Sequence, residues 1–273
     1  MSMPSGPASV SGKSWSRPEL LIAMHLYCQI PFGQFHARNP IIIDMSARMG
    51  RTPSSLAMKL CNLASLDSNH QSRGVIGLKR ASQGDRDIWR EFLSDWTRMI
   101  AESADEAERI LRLNDSDQLV PISVEDNDSE NVDIAVNTER TANVRIRRGQ
   151  SFFRASVLTA YGSKCCVTGC STPSFLVASH IVPWSHDEKN RLNPQNGLCL
   201  AVLQDRAFDK GYIGLSDECR ILISRELASL KADPVVGSHL LPFEGKSIVM
   251  PERFKPDLEF VKWHRKTIFS LRN

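Results

Sequence analysis

The 273-residue chain has no run of about 18 apolar residues, so a membrane-spanning helix is not expected. Residues 1–14, rich in Ser, Gly and Pro, lack the apolar stretch of a secretory leader and read as a disordered lead-in. Seven cysteines follow no regular spacing, which argues against a secreted disulfide scaffold and for a reducing, cytoplasmic setting. Internal repeats and long low-complexity tracts are also missing, so a solenoid is excluded. What remains is a chain long enough for two domains of ordinary size.

Charge divides it. Residues 1–99 hold 12 Lys+Arg against 7 Asp+Glu, residues 100–139 hold 2 against 12, and residues 140–273 hold 20 against 12. Two basic blocks thus flank an acidic one. Either basic block could neutralise backbone phosphate or simply solvate the surface. The stretch 114–139 includes Asp115, Asp117, Glu125, Asp126, Asp128, Glu130 and Asp133, has few large apolar residues and shows no helical period. It reads as a linker between a domain over 15–113 and another over 140–273.

The first domain is helical by pattern. Arg17 to Tyr27 carries an apolar stripe with Ser16 as N-cap and Pro18 in the first turn. Pro40 to Met49 restarts a helix, Gly50 ends it, and Thr52-Pro53-Ser54-Ser55 opens another. Helix, glycine turn and capped helix outline a helix-turn-helix, although two packed helices without a DNA role would look the same. On that reading Arg51, Ser54, Ser55 and Lys59 address a groove, and Arg38, Arg48, Arg73, Lys79 and Arg80 add phosphate contacts. One further helix is expected over Asp85 to Ile100, with Ile88, Trp89, Phe92 and Trp96 in the core.

The second domain holds the most informative residues: Ala178-Ser179-His180-Ile181-Val182-Pro183-Trp184, then Asn196-Gly197-Leu198-Cys199-Leu200, then Asp205-Arg206-Ala207-Phe208-Asp209-Lys210-Gly211. An imidazole can take a proton from water near neutral pH, an amide can fix a loop, and two carboxylates four apart can hold a divalent ion. Each also has a plainer reading: His180 as a packed core histidine, Asp205 and Asp209 as caps or partners of Arg. Cys166 and Cys170 make one pair of zinc-ligand spacing, but Cys199 stands alone and no second pair exists, which argues against a structural zinc. Beyond Gly214, short strands are expected at Ile213 to Leu215 and Arg220 to Ile223. An amphipathic helix is expected over Leu258 to Leu271, with Phe260, Val261, Trp263, Ile268 and Leu271 on its apolar side and His264 packed there.

Together with Gly149-Gln150-Ser151-Phe152-Phe153-Arg154 and Tyr161 to Gly169, these three stretches resemble the HNH endonuclease family, in particular its restriction-endonuclease branch; the resemblance spans roughly Arg147 to Gly214. It implies an α+β protein: a mostly helical N-terminal domain with a helix-turn-helix-like element, joined by the acidic linker to a C-terminal ββα-metal nuclease domain. It implies His180 as general base and Asn196 as the middle Asn of the motif; Asp205 and Asp209, with Gln204 a weaker third, are the candidate ligands for Mg²⁺ or Mn²⁺. Arg206 and Lys210 would pair with flanking phosphates. Two positions depart from the family pattern: Ser179 stands where many members carry Asp or His, and Gln204 where many carry His. The substrate implied is double-stranded DNA. A homodimer is expected if both strands are cut, with a nicking nuclease or a non-catalytic DNA-binding protein as alternatives.

Overall fold

The computed structural model describes residues 14–67, 81–114 and 136–273, with side chains described up to Arg112 and again from Ile146. The lead-in up to residue 13, most of the acidic linker, and Arg73, Lys79 and Arg80 lie outside the described residues.

Five helices build the first half: α1 (Arg17–Gln29), α2 (Pro40–Arg48), α3 (Pro53–Ala64), α4 (Gln83–Ser94) and α5 (Trp96–Asn114). Each start has a chemical cause. Ser16 and Glu19 form a capping box on α1, Asn39 caps α2 through the Ile41 N–H, and Thr52 caps α3 through the Ser55 N–H. Between α2 and α3 the chain turns at Gly50, whose φ of +64° lies in the left-handed region a side chain disfavours. The single helix expected over Asp85 to Ile100 is two. Asp95 leaves helical geometry and its carboxylate takes the Arg98 N–H at 3.0 Å, so the residue ends α4 and caps α5.

The second half begins with α6 (Val136–Ala160), which starts inside the stretch assigned to the linker; residues 136–139 are helical. A two-stranded antiparallel hairpin follows, β1 (Leu176–His180) against β2 (Gly197–Ala201), and β2 runs directly into α7 (Val202–Asp209). A second hairpin pairs β3 (Ile213–Leu215) with β4 (Ile221–Ile223), close to the expected strands. Short helices α8 (Arg225–Ser229) and α9 (Pro234–His239) lead to α10 (Leu258–Thr267). Leu271 is not on the apolar side of that helix. The α-helix ends at Thr267, a 3₁₀ turn from Phe269 to Arg272 breaks the spacing, and Leu271 is 79% exposed. The architecture is therefore α+β and mostly helical. No helix among the described residues is long and apolar enough to cross a membrane.

The two halves share one core. Buried residues of α1, α3, α4 and α5 form a single cluster with those of α6, β1, β2 and α7. Arg253 makes the deepest link. Its side chain is 2% exposed and donates to the Tyr27 and Ile30 carbonyls at the C-terminal end of α1, and the guanidinium lies 5.0 Å from the Tyr27 ring centroid. A cation there meets both the orphan carbonyls and the negative end of the helix dipole. Thr159 adds a bond to the Gln29 carbonyl at 3.1 Å, and Trp96 stacks edge-on with Phe254 at 5.5 Å.

Candidate active site

The hairpin β1–β2 and helix α7 bring the three informative stretches together. His180 ends β1 and lies opposite Gly197, the first residue of β2. Its ring is stacked face to face on Phe153 of α6, centroids 3.9 Å apart and planes 7° apart, with Trp184 edge-on at 5.8 Å. Nε2 lies 2.9 Å from the Arg191 carbonyl, which can only accept, so Nε2 carries the proton and Nδ1 keeps its lone pair. Burial holds the pKa below the ordinary 6.5, opposed by the Arg191 carbonyl. The ring is thus neutral and fixed near pH 7, the state a general base requires.

Asn196 is 1% exposed and ties the loop after β1 to the start of β2. Its Oδ1 accepts the Val182 N–H at 2.8 Å, its Nδ2 donates to the Val182 carbonyl at 3.0 Å, and its own carbonyl accepts the Ile181 N–H at 2.9 Å. With a further Nδ2 contact to the Asn190 carbonyl at 3.4 Å, both amide N–H groups are engaged, so Asn196 holds the backbone that presents His180.

Asp205 lies in the first turn of α7, half-buried and within the influence of the Ser179 hydroxyl. Its pKa is raised from the ordinary carboxylate value by burial first and by the neighbouring Asp209 charge; the Ser179 hydroxyl and Arg206 act the other way. Ser179 immediately precedes His180 at the end of β1. Asp209, Arg206 and Lys210 are exposed on and just after α7. A half-buried carboxylate raised partly by another carboxylate is a place where a cation would relieve repulsion. Hydroxyl and carboxylate oxygens are hard ligands that suit Mg²⁺ or Mn²⁺. Among the described residues no group of three or more His, Cys, Asp or Glu gathers to hold an ion. A Mg²⁺-class ion, which keeps several waters, needs only one or two carboxylates.

Three expected site residues sit elsewhere. Gln204 is 3% exposed and its amide donates to the His239 carbonyl at 3.0 Å. The helical step of 100° turns it away from Asp205, so it is a packing residue rather than a ligand. Arg51 is buried and pairs with Glu19 at 2.8 Å, its guanidinium 4.6 Å from the Trp15 ring centroid. Lys59 is buried and pairs with Asp85 at 2.6 Å. Both cations are committed to holding α3 against α1 and α4, so neither faces a groove. Ser54 is exposed and Ser55 half-buried at the start of α3.

Sequence reasoning missed Phe153, Arg191 and Trp184 as neighbours of His180. Phe153 and Trp184 were within the quoted stretches, but nothing in their spacing gives a ring contact. Arg191 acts through its carbonyl, which every residue has. The cysteines beside the hairpin are free, and burial drives the Cys166 thiol well up and that of Cys199 up to about 12. They behave as small protonated apolar groups.

Residues 165–216, which contain the hairpin, α7 and β3, match the family model described as HNH endonuclease. A comparison with curated proteins finds no match to this chain.

Proposed function

From the HNH endonuclease domain formed by residues 165–216, we propose a DNA endonuclease of the restriction and defence type, one that hydrolyses phosphodiester bonds with a divalent ion and is directed by sequence or by base modification. The observation that carries this reading is His180: neutral, stacked on Phe153, with Nε2 held by Arg191 and Nδ1 bare. His180 takes a proton from the attacking water through Nδ1. Asp205, with Asp209 beside it, is the candidate ligand set for Mg²⁺ or Mn²⁺; when bound, such an ion supplies charge stabilisation at the scissile phosphate. Asn196 holds the loop. Arg206 and Lys210, exposed beside these carboxylates, pair with flanking phosphates. Double-stranded cutting requires two such sites, hence a homodimer.

A second reading, a DNA-binding protein on a degenerate nuclease scaffold, draws on the turned-away Gln204 and on Ser179 at a common ligand position. The deciding experiment incubates supercoiled plasmid, unmodified and cytosine-modified, with Mg²⁺ or Mn²⁺ and either wild type, His180→Ala or Asp205→Asn. Discrete fragments with wild type and none with either variant support the nuclease. Tight plasmid binding with no cutting by wild type in either ion supports the second reading.

A further inference from the structure

A cavity of about 550 Å³ lies between α1, α5 and α6 on one side and the loop 184–192 on the other. That is within the range of small-molecule sites, roughly 300–1,000 Å³. Its α5 wall carries the small side chains Ala101, Ala104 and Ala107, and aromatic rings from Phe152 and Trp184 also line it.

The polar groups in it are specific. His25 is surrounded by protein yet keeps accessible surface, which opens onto this cavity. Its Nδ1 is 3.0 Å from the Ser103 hydroxyl, and that hydroxyl gives its proton to the Ile100 carbonyl at 2.9 Å. With the hydroxyl proton on the Ile100 carbonyl, Nδ1 is the donor and Nε2 an acceptor, the tautomer on which a neutral acceptor in this cavity rests. Burial lowers the pKa of His25 to about 4, so the ring stays neutral at pH 7. Gln29 adds a primary amide to the same lining. The cations at the edge are already engaged: Arg148 pairs with Glu108, and Arg191 donates to the Trp184 carbonyl at 2.7 Å and to Glu188 at 3.2 Å. Apolar walls, a neutral acceptor and committed cations suit an uncharged planar ring with N–H donors better than a phosphate.

The loop side of the cavity is the loop that holds the base. The Arg191 carbonyl accepts from His180 and Trp184 touches the His180 ring. Thr97, at the start of α5 and in the cavity wall, donates through its N–H to the Lys189 carbonyl at 3.2 Å and through its hydroxyl to the Glu188 carbonyl at 2.7 Å. We propose that this cavity binds a neutral nucleobase and that the bound base steadies the loop 184–192, holding His180 in its competent position. The effect on cleavage rests on the nuclease reading above; the binding does not. The base can arrive as a free nucleoside or by rotation out of duplex DNA, as enzymes acting on bases achieve it.

The probe is 2-aminopurine riboside, whose fluorescence is quenched on stacking, titrated into wild-type protein, His180→Ala, His25→Phe and Ala104→Trp. Saturable quenching is expected in wild type and His180→Ala, weakened at least about tenfold when the acceptor is lost or the cavity is filled. Unchanged melting temperature shows which of the two cavity variants is folded. Tighter binding of the 5′-monophosphate by about tenfold would overturn the neutral-ligand assignment. In a second arm the same fluorophore is placed in a duplex, with His180→Ala and its Ala104→Trp double variant. A fluorescence change abolished by Ala104→Trp assigns the base to DNA; riboside binding without such a change assigns it to a free nucleoside. If neither arm gives a signal that depends on the cavity variants, no base binds there. Saturating riboside or cognate duplex base should speed wild-type cleavage; binding without any change in cleavage would overturn the coupling. Failure of the nuclease reading would show separately, as no cutting by wild type, while the fluorescence result stands.

Discussion

At the scale of single residues, the site turns on two histidines built alike and used differently. His180 and His264 each stack face to face on a phenylalanine, at 3.9 and 3.7 Å, and each is bonded through Nε2 to a backbone carbonyl, of Arg191 and Phe208. His264 is 2% exposed, while His180 is half-buried at the end of β1. Replacing His180 by Ala should lower the cleavage rate by about 10²–10⁴-fold in a single-turnover plasmid assay without altering plasmid affinity, as for loss of a general base. Because burial lowers the pKa of His180, the rate should hold down to pH 6.5 and fall only below it; a falling limb centred above pH 7 would identify a different base. The stability profile has the same sign. Burial takes His25 and His264 to about 4. Above pH 6.5 both are neutral whether folded or unfolded, and stability is complete. Between 6.5 and about 4 the unfolded chain binds protons that the folded one refuses. Stability should drop across that window by a few kcal/mol, on the order of 2–3 per histidine, as read by urea unfolding against pH.

At the scale of elements, hairpin and helix place the base through close packing. A Cβ added to Gly197 would come within 2.4 Å of Val157 Cγ2 and 3.0 Å of Phe153 Cζ. Gly197→Ala should therefore push α6 away from β2, costing about 1–3 kcal/mol as overpacking does. It should also cut activity more than that loss explains, because Phe153 is the plate under His180. Thermal melting and cleavage of the same sample test both halves. This element was legible in the sequence because its chemistry sits in side chains: a His, an Asn and two Asp in fixed order, which carry the resemblance to the HNH family. The helical half was legible through Ser16 and Thr52, whose caps are local. What escaped were long-range partners. Arg51 and Lys59 looked like groove-facing cations because charge alone does not disclose Glu19 and Asp85, far away in the chain. Gln204 looked like a ligand because it stands where many members of the family carry His, but its amide is engaged by the His239 carbonyl.

At the scale of the whole molecule, the acidic stretch marks a change in charge but not a change of core. Arg253 reaches from the nuclease half to the end of α1, and Thr97 reaches from the helical half to the loop that carries Arg191. Arg253→Leu would leave the Tyr27 and Ile30 carbonyls without their charged donor, a loss of about 3 kcal/mol from hydrogen bonds to a charged group. Urea unfolding of wild type should be a single transition, seen alike by tryptophan fluorescence and by far-ultraviolet dichroism. Arg253→Leu should move its midpoint down. Two separated transitions in wild type would show that the halves fold apart.

That shared core bears on how such an enzyme can be diversified or rebuilt. Nucleases with a detachable cutting head can be grafted onto any DNA reader through a tether. Here the cutting head ends a foreign helix with one of its own arginines, and its base-holding loop is steadied from across the junction by Thr97. A graft made at the acidic stretch would carry the hairpin and both carboxylates, yet it would strand a buried guanidinium and leave the loop after β1 unbraced. Any rebuilding of this scaffold must therefore be done in place, with α1 and the start of α5 kept as they are.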